Sequence, residues 1–201
     1  MPKIIDHDQY RKELLSQCFD LFAAKGYAAI TMRQIAKGLR VSTGTLYHYF
    51  PSKEMLFEQM VREMAGQDIR NALVEIQAKE STIDRLEAVF QFIAKNEAYF
   101  IKQNLIWVEF YQQQKRDGGD RLSLFCQIWQ EYETEIVELI AIKDENILQL
   151  LRSFIDGMLL HRMFSPETCS FETQVPLFLT MLKLYLTQHP AQENISQENL
   201  E

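Results

Sequence analysis

Along nearly the whole chain, apolar residues return every third or fourth position, and glycine and proline are scarce, at 7 and 5 of 201 residues. That spacing predicts helix after helix, and no stretch alternates as a strand would. The first helix is expected from about Asp8 to Lys25, with Leu14, Cys18, Leu21 and Phe22 inward and Gly26 as its left-handed stop. Next, Thr31 and Gln34 have the spacing of a capping box, and Ile30 and Ile35 that of a hydrophobic staple. Together they open a short helix, about Met32 to Leu39. Ser42 caps a second short helix, which ends where Pro51 excludes helical backbone at Phe50. Two short helices joined by a tight turn form the outline of a helix-turn-helix.

A long helix is expected from Ser52 to about Lys79. Further helices follow at about 82–95, 97–115, 120–142, 145–164 and 173–188, broken at Asp117-Gly118-Gly119, Lys143-Asp144 and Ser165 to Thr173. The reading is all-α: a three-helix helix-turn-helix domain over 1–52, a larger helical domain over 53–189, and a polar, disordered tail over 190–201.

Placed at 100° steps, the second short helix buries Leu46 and Phe50 and turns Gly44, Thr45 and His48 outward, with Thr43, Tyr47 and Tyr49 on the flanks. Small residues at a helix start, here Ser42-Thr43-Gly44-Thr45, let backbone and hydroxyls approach base edges and phosphates in a major groove. The helix has no Lys or Arg of its own. Positive charge comes instead from Arg33, Lys37, Arg40 and Lys53 around it. The plain alternative for 31–50 is an ordinary packed helical hairpin.

Net charge is −7 for the whole chain, which argues against a generic nucleic-acid coat. The charge is unevenly spread. Residues 1–62 hold nine Lys/Arg and six Asp/Glu, and the remainder holds twelve and twenty-two, so a positive head sits on a strongly negative body. Cys18, Cys126 and Cys169 are odd in number and far apart, suggesting neither a disulfide framework nor a metal site. No metal or cofactor is expected. No apolar run approaches the roughly 20 residues of a membrane span, so a cytoplasmic protein without a membrane partner is expected.

The stretch Gly26-Tyr27, Thr31-Met-Arg-Gln-Ile-Ala36 and VSTGTLYHYFPSKEMLF (Val41 to Phe57) resembles the head of the tetracycline-repressor (TetR) family of bacterial regulators. The rest of the chain matches that family only in length and helical character. The resemblance implies nine or ten helices per subunit, a homodimer with two heads on a palindromic double-stranded operator, and repression relieved by a small molecule. It implies phosphate contacts for Thr31, Tyr47, His48 and Lys53, base-edge contacts for Thr43 and Gly44, and lesser roles for Arg33, Thr45 and Tyr49. Two positions depart from the family pattern: Arg40 stands where glycine is common in the turn, and Thr43 where lysine is common.

For the body, Phe100, Trp107, Phe110, Tyr111, Phe125, Trp129, Phe154 and Met158 are candidates to line a pocket for an apolar or aromatic effector, or equally to form core. Leu151, Ile155 and Leu159, with Phe178, Met181, Leu182 and Tyr185, are candidates for a dimer interface between the last two helices and their copies. Two other readings stay open: a regulator or nucleoid protein without a ligand, separable by whether the body holds a sealed, mostly apolar cavity, and a small helical enzyme. Against the enzyme, no HExxH, GxSxG, Walker or GxGxxG pattern occurs.

Overall fold

The computed structural model describes residues 6–116, 118 and 122–189, without the side chains of 122–126, 129 and 133. Nine helices and no strand occupy the described residues: α1 His7–Lys25, α2 Met32–Gly38, α3 Thr43–Tyr49, α4 Lys53–Ile76, α5 Thr82–Lys95, α6 Glu97–Arg116, α7 Leu122–Ile140, α8 Glu145–Phe164 and α9 Phe171–Gln188. The all-α expectation holds. The tail expected over 190–201 lies outside the described residues.

Helix ends follow local chemistry. Asp6 caps α1 by accepting from the amides of Asp8 and Gln9, and Gly26 stops it at φ 78°. At α2 the reciprocal capping box is present, Thr31 N–H donating to Gln34 Oε1 at 2.9 Å and Gln34 N–H to Thr31 Oγ1 at 3.3 Å. Its staple residues Ile30 and Ile35 are buried. Phe50 is extended before Pro51, and Ser52 caps α4. The start of α9 differs from expectation: Ser170 is the cap, accepting from Thr173 N–H at 3.3 Å, so the helix begins at Phe171. Beyond α7, Ala141 takes the left-handed turn at φ 56°.

Two cores result. The first joins α1–α3 to the body, placing Leu15, Phe22, Ile35, Leu46 and Phe50 with Phe57, Met60 and Val61 of α4, Ile106 and Phe110 of α6 and Ile128 of α7. Head packing thus continues across residue 52 into the body. The second core gathers α5, the end of α7, α8 and α9 around Phe90, Ile147, Leu151, Phe171, Phe178 and Leu182. Among the described residues, no helix is long and apolar enough to cross a membrane.

Candidate nucleic-acid interface and the cavity behind it

On α3, Leu46 and Phe50 are fully buried while Thr43, Gly44, Tyr47 and His48 are exposed, as helical spacing predicts. Thr45 is half-buried, its hydroxyl 2.8 Å from that of Ser42, and Ser42 Oγ accepts the Thr45 amide at 2.9 Å. A Cβ built on Gly44 meets nothing nearer than Ser42 Oγ at 3.7 Å. Glycine in a helix costs about 1 kcal/mol relative to alanine. No contact within the protein requires it.

Preceding α3, Arg40 has φ 58°. Its amide donates to Lys37 O at 3.2 Å and that of Val41 to Ala36 O at 3.0 Å, the paired bonds of a Schellman stop. The turn therefore needs a left-handed residue, and arginine there is strained by about 1 kcal/mol. Its side chain is exposed beside α3, as are Arg33 and Lys37 on α2 and Thr31 at the cap.

Two expected DNA contacts have partners inside the protein. The Tyr49 hydroxyl is 2.7 Å from His7 Nδ1, and its ring meets Tyr10 edge-on at 5.6 Å, so it fastens α3 to α1. Lys53 Nζ donates to Tyr27 O at 2.8 Å and Ile30 O at 3.2 Å, and lies 4.5 Å from the centre of the Tyr27 ring. Its ammonium cross-links the α1–α2 loop to α4. Neither partner could be foreseen locally, since both lie more than 20 positions away.

Behind the head, α4 to α8 line a half-open, mostly apolar cavity of about 490 Å3. Of the aromatic candidates, it receives Phe100 and Trp107. Phe110 is corrected to the head–body junction, stacked on Phe57 at 4.4 Å and edge-on to Tyr27 at 4.7 Å. Tyr111 is on the surface, with Lys115 Nζ over its ring. Phe154 stacks on Phe178 at 4.1 Å in the second core, and Met158 is buried there against the thiol of Cys169. The side chains of Phe125 and Trp129 lie outside the described residues.

The cavity also takes a charge that the sequence reading passed over. Asp68 lies in its lining on α4, accepting from the Tyr99 hydroxyl at 3.1 Å and from Gln103 Nε2 at 3.2 Å. Burial pushes its carboxyl up to about 6, although both hydrogen bonds favour the ionised form. The signal was present in the sequence: Met60, Met64, Asp68, Ala72 and Ile76 recur at every fourth position, and Asp68 is the one charge on that stripe. Cys18, by contrast, is simply core. Burial pushes its thiol up to about 12, which leaves it protonated and unreactive.

One helix touches both regions. α6 lines the cavity with Phe100, Gln103 and Trp107, and a turn later Glu109 Oε1 accepts the amide of Ala28 at 3.1 Å in the α1–α2 loop. The Glu109 carboxylate fills the space where a side chain on Gly26 would stand, 2.6 Å from that position. Glycine at φ 78° thus serves both the turn and this contact.

With this geometry, residues 14–60 match the family model described as bacterial regulatory proteins, tetR family. Over those residues the chain has a TetR-family head. It is 25% identical over 181 residues to the HTH-type transcriptional regulator BetI of Rhizobium meliloti, covering 88% of this chain and 89% of that one. The fold resembles that of the transcriptional regulator FadR from Bacillus subtilis, solved with stearoyl-CoA (22% identity, TM-score 0.57, 86% of this chain and 97% of the other). It also resembles a putative transcriptional regulator from Saccharomonospora viridis, solved with choline (17% identity, TM-score 0.64, 90% and 97%). The protein is thus a DNA-binding transcriptional regulator.

In the body, most residues expected at a dimer interface point inward. Leu151 and Leu159 are buried in the second core and also line the cavity, Ile155 lines it too, and Phe178 and Leu182 are buried core. Met181 and Tyr185 are exposed, as expected of an interface. The apolar residues that α8 and α9 leave in solvent include Leu160, Phe164, Leu177 and Leu184, which alternate with the buried set around each helix. Helices apolar on two faces do not reveal from sequence which face turns inward.

Proposed function

We infer that this TetR-family regulator is a homodimeric repressor whose two heads grip successive major grooves of a palindromic operator, and that filling its cavity releases the DNA. The observation that carries this reading is the double duty of α6, which lines the cavity at Gln103 and Trp107 and holds the head loop at Ala28 through Glu109. Packed helices slide or rotate as bodies, so an occupant that displaces α6 also moves the head. Two heads must be correctly spaced to bind both half-sites together, and a small change in that spacing costs affinity.

Dimerisation is assigned to the exposed apolar face of α8 and α9, with Phe164, Leu177, Met181, Leu184 and Tyr185 meeting their copies around a two-fold axis. Thr43 and Gly44 read bases. Tyr47, His48, Arg33, Arg40 and Thr31 hold phosphates. The apolar cavity favours the ligand-sensing reading over a nucleoid protein that binds nothing else.

The test is selection of bound duplexes from a random-sequence DNA pool, followed by anisotropy titration of the enriched sequence at two salt concentrations. A palindrome with half-sites about one helical turn apart, bound with steep salt dependence, is expected. Failure to enrich any sequence would overturn the reading.

A further inference from the structure

Choline and stearoyl-CoA, the ligands of the two solved neighbours, are chemically unlike each other, so the class of ligand for this chain has to be read from its own cavity. The wall is apolar and aromatic apart from a few polar groups, among them the half-buried carboxylate of Asp68. Among the described residues, both hydrogen bonds to Asp68 end on Oδ2, so Oδ1 of this cavity-lining carboxylate accepts none of them, and none of the ion pairs includes this residue. A carboxylate set in an apolar cavity without a countercharge is costly, and binding a cation removes that cost.

The neighbouring surface suits the same partner. Tyr99, which holds the carboxylate, meets Phe100 edge-on at 5.1 Å, and Phe100 meets Phe92 edge-on at 5.8 Å. Aromatic faces attract organic cations as well as apolar bodies. The competing charge is Arg152, which would favour an anion. It lies at the rim, 4.0 Å from Asp156, with both side chains about half exposed, so solvent screens it.

We propose that the cavity takes an amphipathic organic cation: an ammonium group, protonated or quaternary, seated at Asp68, with an apolar body lying along Phe92, Phe100 and Trp107. This rests on the effector-cavity reading above. Gln103 and Tyr99 act as positioning residues that aim the carboxylate, and the volume of about 490 Å3 suits a drug-sized molecule.

Four probes with one body and different heads test it: phenyloctylamine, phenyloctyltrimethylammonium, phenyloctanol and phenyloctanoate, titrated calorimetrically into the full chain. Both cations are expected to bind at least ten-fold more tightly than the alcohol, and the carboxylate most weakly. Preference for the amine alone supports the proposal and makes the ligand head a hydrogen-bond donor. In Asp68→Asn the cations should fall to within about three-fold of the alcohol, while the alcohol keeps its affinity as evidence of an intact cavity. Asp156→Asn, at the rim, should change the preference less than three-fold.

The proposal is overturned if the carboxylate binds best, if the cation preference survives Asp68→Asn, or if Asp156→Asn abolishes it. Equal binding of cation and alcohol in the wild type overturns it while leaving the effector cavity standing. Absence of saturable binding by all four overturns both.

Discussion

In the head, nearly every structural decision is made by a close neighbour in sequence: Asp6 for the amides of Asp8 and Gln9, Thr31 for Gln34, Ser42 for Thr45, Pro51 for Phe50. In the body, the decisive contacts join residues 31, 81 and 70 positions apart: Tyr99 with Asp68, Glu109 with Ala28, and Tyr132 with the carbonyl of Arg62. Local chemistry sets the ends and the outward face of the short helix α3, while Tyr49 with His7 and Lys53 with Tyr27 fix where it sits. A cavity exists only where several helices come together, and so does its connection to the head. The two regions still form one packing unit, since Phe110 of α6 lies against Tyr27 and Phe57.

The largest effect tests that unity. Phe110→Ala removes a ring that is 1% exposed from the junction, and a loss of about 3–5 kcal/mol is expected in denaturant unfolding. Head and body should still unfold in one transition. Separate transitions in the wild type would mean that the two regions are independent.

Next is Asp68. Its carboxyl sits at about 6 in the folded chain, against about 3.9 when unfolded, so between those values the native state holds the extra proton. Stability therefore falls as pH rises from 4 to 6, and the loss is complete above 6. Asp68→Asn should gain about 2 kcal/mol at pH 7.5 and almost nothing at pH 4. Unfolding curves at the two pH values check this, and an equal gain at both would contradict the burial account.

Two head substitutions have smaller effects of opposite sign on folding and function. Arg40→Gly relieves the strain at φ 58° and should stabilise by about 1 kcal/mol per subunit, while lowering the slope of log affinity against log salt by about 1.8 for the dimer, as one phosphate contact is lost from each head. Gly44→Ala should add about 0.5–1 kcal/mol to stability and weaken operator binding. Unimpaired binding by Gly44→Ala would remove α3's start from the reading edge.

What could be read from the sequence follows the same division. Caps, stops and the outward face of α3 were legible because each depends on residues within one turn. Lys53, given a phosphate contact by the family resemblance, and Tyr49, given a lesser role, meet the carbonyls of Tyr27 and Ile30 and the ring of His7, which no local rule brings together. Phe100 and Trp107 do line the cavity, yet Phe110, Phe154 and Met158 share their spacing and chemistry and are core. Apolar periodicity says that a residue is buried, without saying against what. The most legible clue to the cavity was the one overlooked, a lone acid on the inner stripe of α4.

The central claim is that an occupied cavity and a head seated on DNA exclude one another, and it is testable without knowing the natural ligand. Ala65→Phe places a ring into the cavity space that Ala65 lines on α4. The measurement is the Kd of this variant and of the wild type for the enriched duplex, taken where both are fully folded by thermal melting. A Kd at least ten-fold weaker for Ala65→Phe is predicted, within the usual range of coupling between sites. An unchanged Kd in a folded variant would contradict the claim that the cavity controls the head.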